Sequence, residues 1–265
     1  MEGQLKRLSS QLGSPNDAAI VSAKTMLGAA RNGHLEVVKW LYEEFGNDPV
    51  IDIFKLDRCK GSVVYAMDAA ASKGHLEVLK YLHELKRSID LTAKKRKRGE
   101  QKNLSSPRCT ETAMDSAAAA GCLDVVRWLH QNRMEGCSTR AMDQAAAGGH
   151  LHVVKWLLEH RSEKCTSAAM DGAAANGHLN VVQWLHDNTD ATCTTKAMDR
   201  AAAVGRLDIV KWLHKYRHEG CTSAAMDQAA GHGALDVVRW LHSNRAGGCT
   251  EEAMNAASAN GHLKI

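Results

Sequence analysis

Residues 164–186 read KCTSAAMDGAAANGHLNVVQWLH. A cysteine, an aspartate and two histidines crowd into this stretch, and how it is read decides the fold because it recurs. Ala-Met returns at Met114, Met142, Met170, Met198, Met226 and Met254, each step being 28 residues. Cys109, Cys137, Cys165, Cys193, Cys221 and Cys249 keep that step, and so do Trp128, Trp156, Trp184, Trp212 and Trp240. Two earlier copies, MLGAARNGHLEVVKWLY with Met26 and Trp40 and AMDAAASKGHLEVLKYLH with Met67 and Tyr81, stand out of step by 13 and 19 extra residues. A sustained period of this kind marks a stack of one supersecondary unit, here in eight copies.

Each copy predicts two short helices. In residues 166–175 Thr166 is placed as an N-cap, and an Ala/Met-rich run of high helix propensity follows. Asn176-Gly177 ends it, since Gly accepts the left-handed C′ conformation. The second helix, Leu179–His186, carries Leu179, Val181, Val182, Trp184 and Leu185, an apolar arc of about 220° against the ~100° stripe of an ordinary surface helix. Such a helix must be covered on two sides, which a neighbour on each side provides. Acid/base pairs three residues apart, Glu36/Lys39, Glu77/Lys80, Asp124/Arg127, Asp208/Lys211 and Asp236/Arg239, mark its solvated face.

The bulk numbers agree with an ordinary globular chain: 265 residues, 44% hydrophobic, 24% charged, with only three prolines. No apolar run approaches the ~18–20 residues that span a bilayer, and the N-terminus has no apolar signal core, so the expectation is a cytoplasmic or nuclear protein, not secreted on the sequence given. Eight cysteines in such a chain are expected as free thiols, and no C-x-x-C occurs.

GHLEVVKWL in the first copy and GHLxVVxWL in the later ones resemble the second helix of the ankyrin repeat, and AMDxAAAxGH lies where that family has TPLHxAAxxGH. Pro, Leu and His of that motif are here Ala, Met and Asp. The likeness covers 23–265 except for the insertions, and is similar to the short ankyrin arrays of oomycetes. These units run 28 residues against about 33 in the family, the shortfall falling after WLH where the family builds hairpin fingers. The resemblance implies an all-α solenoid of about eight stacked helix-turn-helix repeats, near 23–45, 63–85, 110–137, 138–165, 166–193, 194–221, 222–249 and 250–265, with reduced or absent fingers. Residues 1–22 are then an N-terminal cap or tail, 46–62 an insertion, and 86–109 a basic insertion expected to lack fixed structure.

The repeated chemistry reads as architecture. Registered cysteines on stacked helices stand roughly 8–10 Å apart, beyond the ~7 Å a disulfide tolerates, and pack as small apolar groups; Cys122, in a His slot, is individually unexplained. The histidines of the GHL and WLH slots, and Asp68, Asp115, Asp143, Asp171, Asp199 and Asp227, form ladders of identical groups, whereas catalysis needs unlike groups in one pocket. The resemblance implies that the GHL histidine stabilises the loop and that the aspartate, in place of the family's TPLH histidine, bonds turn backbone. No catalytic residue, metal site or cofactor is expected.

Function is therefore expected in binding: a non-catalytic scaffold engaging a protein or peptide through the concave face of the array. Positions that differ between copies while their neighbours stay fixed are the candidates: Arg140, Gln144, Asn176, Lys196, Arg200, Gln228 and His232. Residues 86–108 hold nine Lys/Arg and two acids, net +7, while the whole chain is +4, so the positive charge is local and the array itself does not support a nucleic-acid groove. Lys94, Lys95, Arg96, Lys97 and Arg98 fit a nuclear-import tract. Alternatives are a nuclear factor using that insertion on nucleic acid, or a regulatory domain of a larger enzyme. GHLKI stops before the Trp-Leu of its helix, so the last repeat reads as incomplete, through truncation or through end-to-end self-association.

Overall fold

The computed structural model describes residues 15–46, 52–58, 62–95, 106–245, 247–262 and 265. The chain divides into two compact units, Met1–Ala117 with Cys122–Cys137, and Ala118–Gly121 with Ser138–Ile265. Fifteen α-helices and one two-stranded sheet make up the described regular structure, an all-α repeat solenoid.

The first unit opens with α1 (Pro15–Arg31), whose start lies upstream of residue 23; Pro at the first helical position suits a pre-set φ and a missing N–H. α2 (Leu35–Phe45) follows. Within the 46–62 insertion lies structure that the repeat pattern did not disclose. Ile53 and Phe54 are fully buried, the Phe54 ring 6.1 Å from that of Tyr42. They lead into β1 (Lys55–Arg58), paired antiparallel with β2 (Ser62–Tyr65) in the register Leu56↔Val64 and Asp57↔Val63. β2 runs straight into α3 (Ala66–Ala71), which packs on α1 and on α4 (Leu76–Lys95).

That last helix corrects one expectation. The basic segment 86–109 is not uniformly without structure: its first ten residues continue α4 to Lys95. Residues 76–95 contain neither Gly nor Pro, and Ile89 is buried more than a turn beyond the WLH slot at His83, so burial and propensity extend the helix together. At the other end of the segment Pro107 and Cys109 are buried. Residues 96–105, and with them Arg96, Lys97 and Arg98, lie outside the described residues. α5 (Glu111–Ala119) and α6 (Leu123–Asn132) complete the third helix pair.

The second unit repeats one pair with little variation: α7 (Thr139–Ala147) and α8 (Leu151–His160), α9 (Ser167–Ala175) and α10 (Leu179–Asn188), α11 (Thr195–Ala203) and α12 (Leu207–Tyr216), α13 (Ala224–Gly231) and α14 (Leu235–Asn244), then α15 (Glu251–Ala259). First helices pack side by side, α7 on α9, α9 on α11, α11 on α13 and α13 on α15. Their alanines permit the close approach, and Met142, Met170 and Met198 fill the core beneath them. Val181, Val182 and Leu185 of α10 are fully buried, each such side chain contributing roughly 1.5–3 kcal/mol by leaving water. Short turns without strands connect the pairs here.

The turn inside each pair is fixed by backbone bonds. The Gly149 N–H donates to the Ala146 carbonyl at 3.0 Å and the His150 N–H to that of Ala145 at 2.9 Å, with Gly149 at φ +75°. This is the Schellman closure, in which a left-handed glycine lets two late carbonyls find donors.

Candidate partner-binding face

Three ladders join successive repeats and absorb the repeated chemistry. In the first, an aspartate accepts two hydrogen bonds from the threonine that caps the next first helix. Asp171 takes the Thr194 N–H at 2.7 Å and its hydroxyl at 2.6 Å. Asp68 holds Thr110 at 2.9 and 2.7 Å, Asp143 holds Thr166 at 2.7 and 2.7 Å, Asp199 holds Thr222 at 2.8 and 2.9 Å, and Asp227 holds Thr250 at 2.8 and 2.8 Å. Each threonine oxygen in turn accepts the N–H two residues on, as from Lys196 at 3.2 Å. The relay runs from carboxylate to hydroxyl to the orphan donors of the helix N-terminus. Burial pushes the Asp68 carboxyl above its ordinary range, against the lowering effect of the Thr110 bonds.

The second ladder places the GHL-slot side chain of one repeat against the glycine of the repeat before. A β-carbon at Gly149 would lie 2.6 Å from the His178 ring, and one at Gly121 would lie 2.6 Å from that of His150. Cys122 is explained by the same contact: it occupies the slot and lays its Sγ where a Gly74 β-carbon would meet it at 2.6 Å. Its thiol is pushed up by burial and by Asp124.

The third ladder uses the WLH histidine. His186 stands edge-on to Trp212 at 5.2 Å, and His214 to Trp240 at 5.0 Å. Arg217 Nη1 lies 3.4 Å from His186 Nδ1, and Arg245 Nη1 lies 3.3 Å from His214 Nδ1. In the first unit His83 meets Trp128 and Arg133 in the same way. Burial, and then Arg133, lower the His83 pKa. Arg217 also chelates Glu219 at 3.3 and 2.6 Å, and although burial acts to raise Glu219, that bond and neighbouring backbone N–H groups take it down to about 2.

The cysteines pack under the turns. Cys109, Cys137 and Cys193 are buried, and burial drives Cys109 to about 12 and Cys193 to about 11. Among the described residues no three His, Cys, Asp or Glu side chains gather so as to hold a metal ion. Of the surface pairs, Lys39 bonds Glu36 at 2.7 Å and Lys80 bonds Glu77 at 2.8 Å. Asp208 instead pairs with Arg206 at 3.0 Å.

What these ladders leave uncommitted is the outer row of the first helices. Positions four apart share that row. Arg140 and Gln144 stand on α7, Lys196, Arg200 and Val204 on and just after α11, and Gln228 and His232 on and after α13. Arg140, Lys196, Arg200, Gln228 and His232 are exposed, while Gln144 is half-buried. Asn176 is exposed but engaged, its Nδ2 donating to the Ala147 carbonyl at 2.8 Å across the repeat boundary. The bond ties α9 to the end of α7, and Asn260 repeats it to Gly231 at 2.7 Å, a structural use that comparison of the repeats alone did not distinguish from variation. His232 Nδ1 lies 2.8 Å from the Gln228 carbonyl. Of the import tract, Lys94 and Lys95 end α4.

Models of ankyrin repeats match residues 27–83 and 103–158 (many copies) and 141–223 (three copies), together about two-thirds of the chain. The chain belongs to the ankyrin-repeat family. No curated protein matches it. Ankyrin repeats are generally protein–protein interaction modules and generally non-catalytic. No helix among the described residues is long and apolar enough to cross a membrane.

Proposed function

We propose that this ankyrin array is a non-catalytic scaffold that binds a protein or peptide across the outer row of its first helices. One observation carries the reading. In the second unit up to α13 the side chains that recur from repeat to repeat are mostly bonded or buried, and those that vary at the first-helix row stand mostly exposed. A row freed from packing is where a partner can be read. Arg140, Gln144, Lys196, Arg200, Gln228 and His232 are its contact residues, with Asn176 supplying its carbonyl oxygen alone. Affinity capture with mass spectrometry, comparing the full chain with a Lys196→Ala/Arg200→Ala/Gln228→Ala variant, tests it. Loss of the same set of captured proteins supports the reading, and identical recovery from both forms defeats it.

A second contact is favoured by a groove of about 490 Å³ lined by Met226, Val238, His242, Met254 and His262. Met254 is 76% exposed there, whereas Met170 and Met198 are buried. An end-to-end contact between copies would cover it. A sedimentation coefficient independent of concentration counts against that contact. The tract Lys94–Arg98 belongs to the proposal as an import signal, and its deletion should leave a tagged chain out of the nucleus.

A further inference from the structure

Along α7–α11 the exposed charges of the first-helix row are Arg140, Lys196 and Arg200, all cationic. The aspartates of α7, α9, α11 and α13 keep their charge but are turned to the threonine of the following repeat, and none of them pairs with Arg140, Lys196 or Arg200. Several other cations of the unit have partners: Arg161 with Glu163, Arg206 with Asp208, Arg217 with Glu219, and Lys155 over the Trp184 ring at 5.9 Å. Arg140, Lys196 and Arg200 have no ion pair or ring contact among the described residues. Beside Lys196 and Arg200 the 28-residue register places Ala168, Gly172 and Ala224, small side chains that leave a backbone room to come near, and the polar Gln228. Val204, 55% exposed, adds an apolar contact in line with them. Glu251 and Glu252 close the row at α15, so the positive stretch is confined to α7–α11.

From these observations we infer that the row selects an acidic, extended peptide segment. Lys196 and Arg200 are its central anchors and Arg140 is the third. Two helix steps of ~8–10 Å separate α7 from α11, a span that about five or six extended residues cover at ~3.3 Å each. The ligand is therefore a run of about six residues rich in Asp and Glu, with an apolar side chain at the Val204 end. Carboxylates paired with Arg and Lys in a partly desolvated row gain orientation as well as attraction.

This inference rests on the scaffold reading above, and its test separates the two. Fluorescence anisotropy of the full chain is measured with a labelled twelve-residue peptide holding six consecutive Asp/Glu residues and a terminal Leu, with a Gln/Asn twin and with a Lys twin. The acidic peptide is expected to bind at least about tenfold more tightly than the amide twin. Its affinity should fall as salt rises, since screening shortens to ~3 Å at 1 M. Lys196→Glu/Arg200→Glu, with an unchanged circular dichroism spectrum, should abolish that preference and bind the Lys twin instead. Equal binding of acidic and amide peptides that is lost in Val204→Asp leaves the face standing and overturns its acid selectivity. A twelve-nucleotide single strand that binds as tightly and responds to the same charge reversal overturns the peptide class. Absence of any peptide binding overturns the inference without touching capture of a folded partner.

Discussion

Asp171→Ala removes one carboxylate and leaves two donors of the next repeat without their acceptor. The Thr194 N–H at 2.7 Å and the Thr194 hydroxyl at 2.6 Å both end on Asp171, which is 6% exposed. A hydrogen bond to a charged group contributes about 1.5–3 kcal/mol net. The two bonds share one acceptor, and Thr194 is only half-buried, so water recovers part of the loss. The expected cost is about 3 kcal/mol, with roughly 1 for Asp171→Asn, which keeps the shape and one acceptor oxygen. Thr194→Ala loses the same hydroxyl bond and the cap on Lys196 N–H, at a cost of about 1–2 kcal/mol. Because the residues share bonds, the double variant should cost at least about 1 kcal/mol less than the sum of the singles. Urea unfolding followed by ellipticity at 222 nm reads all four proteins. Costs below about 0.5 kcal/mol for Asp171→Ala, or strict additivity with Thr194→Ala, would refute the relay.

Further expectations share this logic. Gly149→Ala and Gly205→Ala both place alanine at positive φ, +75° and +73°, but only the first also drives a β-carbon to 2.6 Å from a histidine ring, against 3.5 Å from the Ala234 methyl. Thermal melts should show a cost of about 1 kcal/mol for Gly205→Ala and about twice that for Gly149→Ala, with His178→Ala erasing the difference. Glu219, held at about 2 when folded, contributes stability above the ordinary glutamate range of about 4.3 that is lost as pH falls towards 2. In Glu219→Gln the midpoint should therefore fall less over that window than in the native chain. His83, lowered by burial and then by Arg133, binds its proton more weakly folded than unfolded, so stability should decline as pH drops below about 6.5 and Phe at position 83 should flatten that decline. With a thiol-specific disulfide reagent, exposed Cys249 should react at once, whereas Cys109 and Cys193, at about 12 and 11, should wait for unfolding.

The sequence disclosed the parts of this molecule that repeat, because a packed repeat constrains every copy in the same way. Thr166 as N-cap, Gly177 as stop and the doubly covered second helix are local and periodic, and the structure has them. The strand pair Lys55–Arg58 and Ser62–Tyr65 occurs once among the described residues, in strands of four residues each, and its main sequence signal, Val63-Val64-Tyr65 after Gly61, is too short to separate from a connector. The extension of α4 was hidden because its charge suggested solvation, while Ile89 is buried in it. On the face, variation between repeats identified exposed positions well at Lys196, Arg200 and Gln228. It did not disclose the bond of Asn176 to Ala147, which depends on a tertiary distance that no pattern within one repeat contains.

The central claim divides the chain into side chains that hold repeats together and side chains that meet a partner. Its most direct test is the urea midpoint of the Lys196→Ala/Arg200→Ala/Gln228→Ala variant, measured beside its recovery of captured proteins. The expected result is an unchanged midpoint with the recovery lost. A midpoint that falls by as much as for Asp171→Ala while recovery is untouched would contradict it.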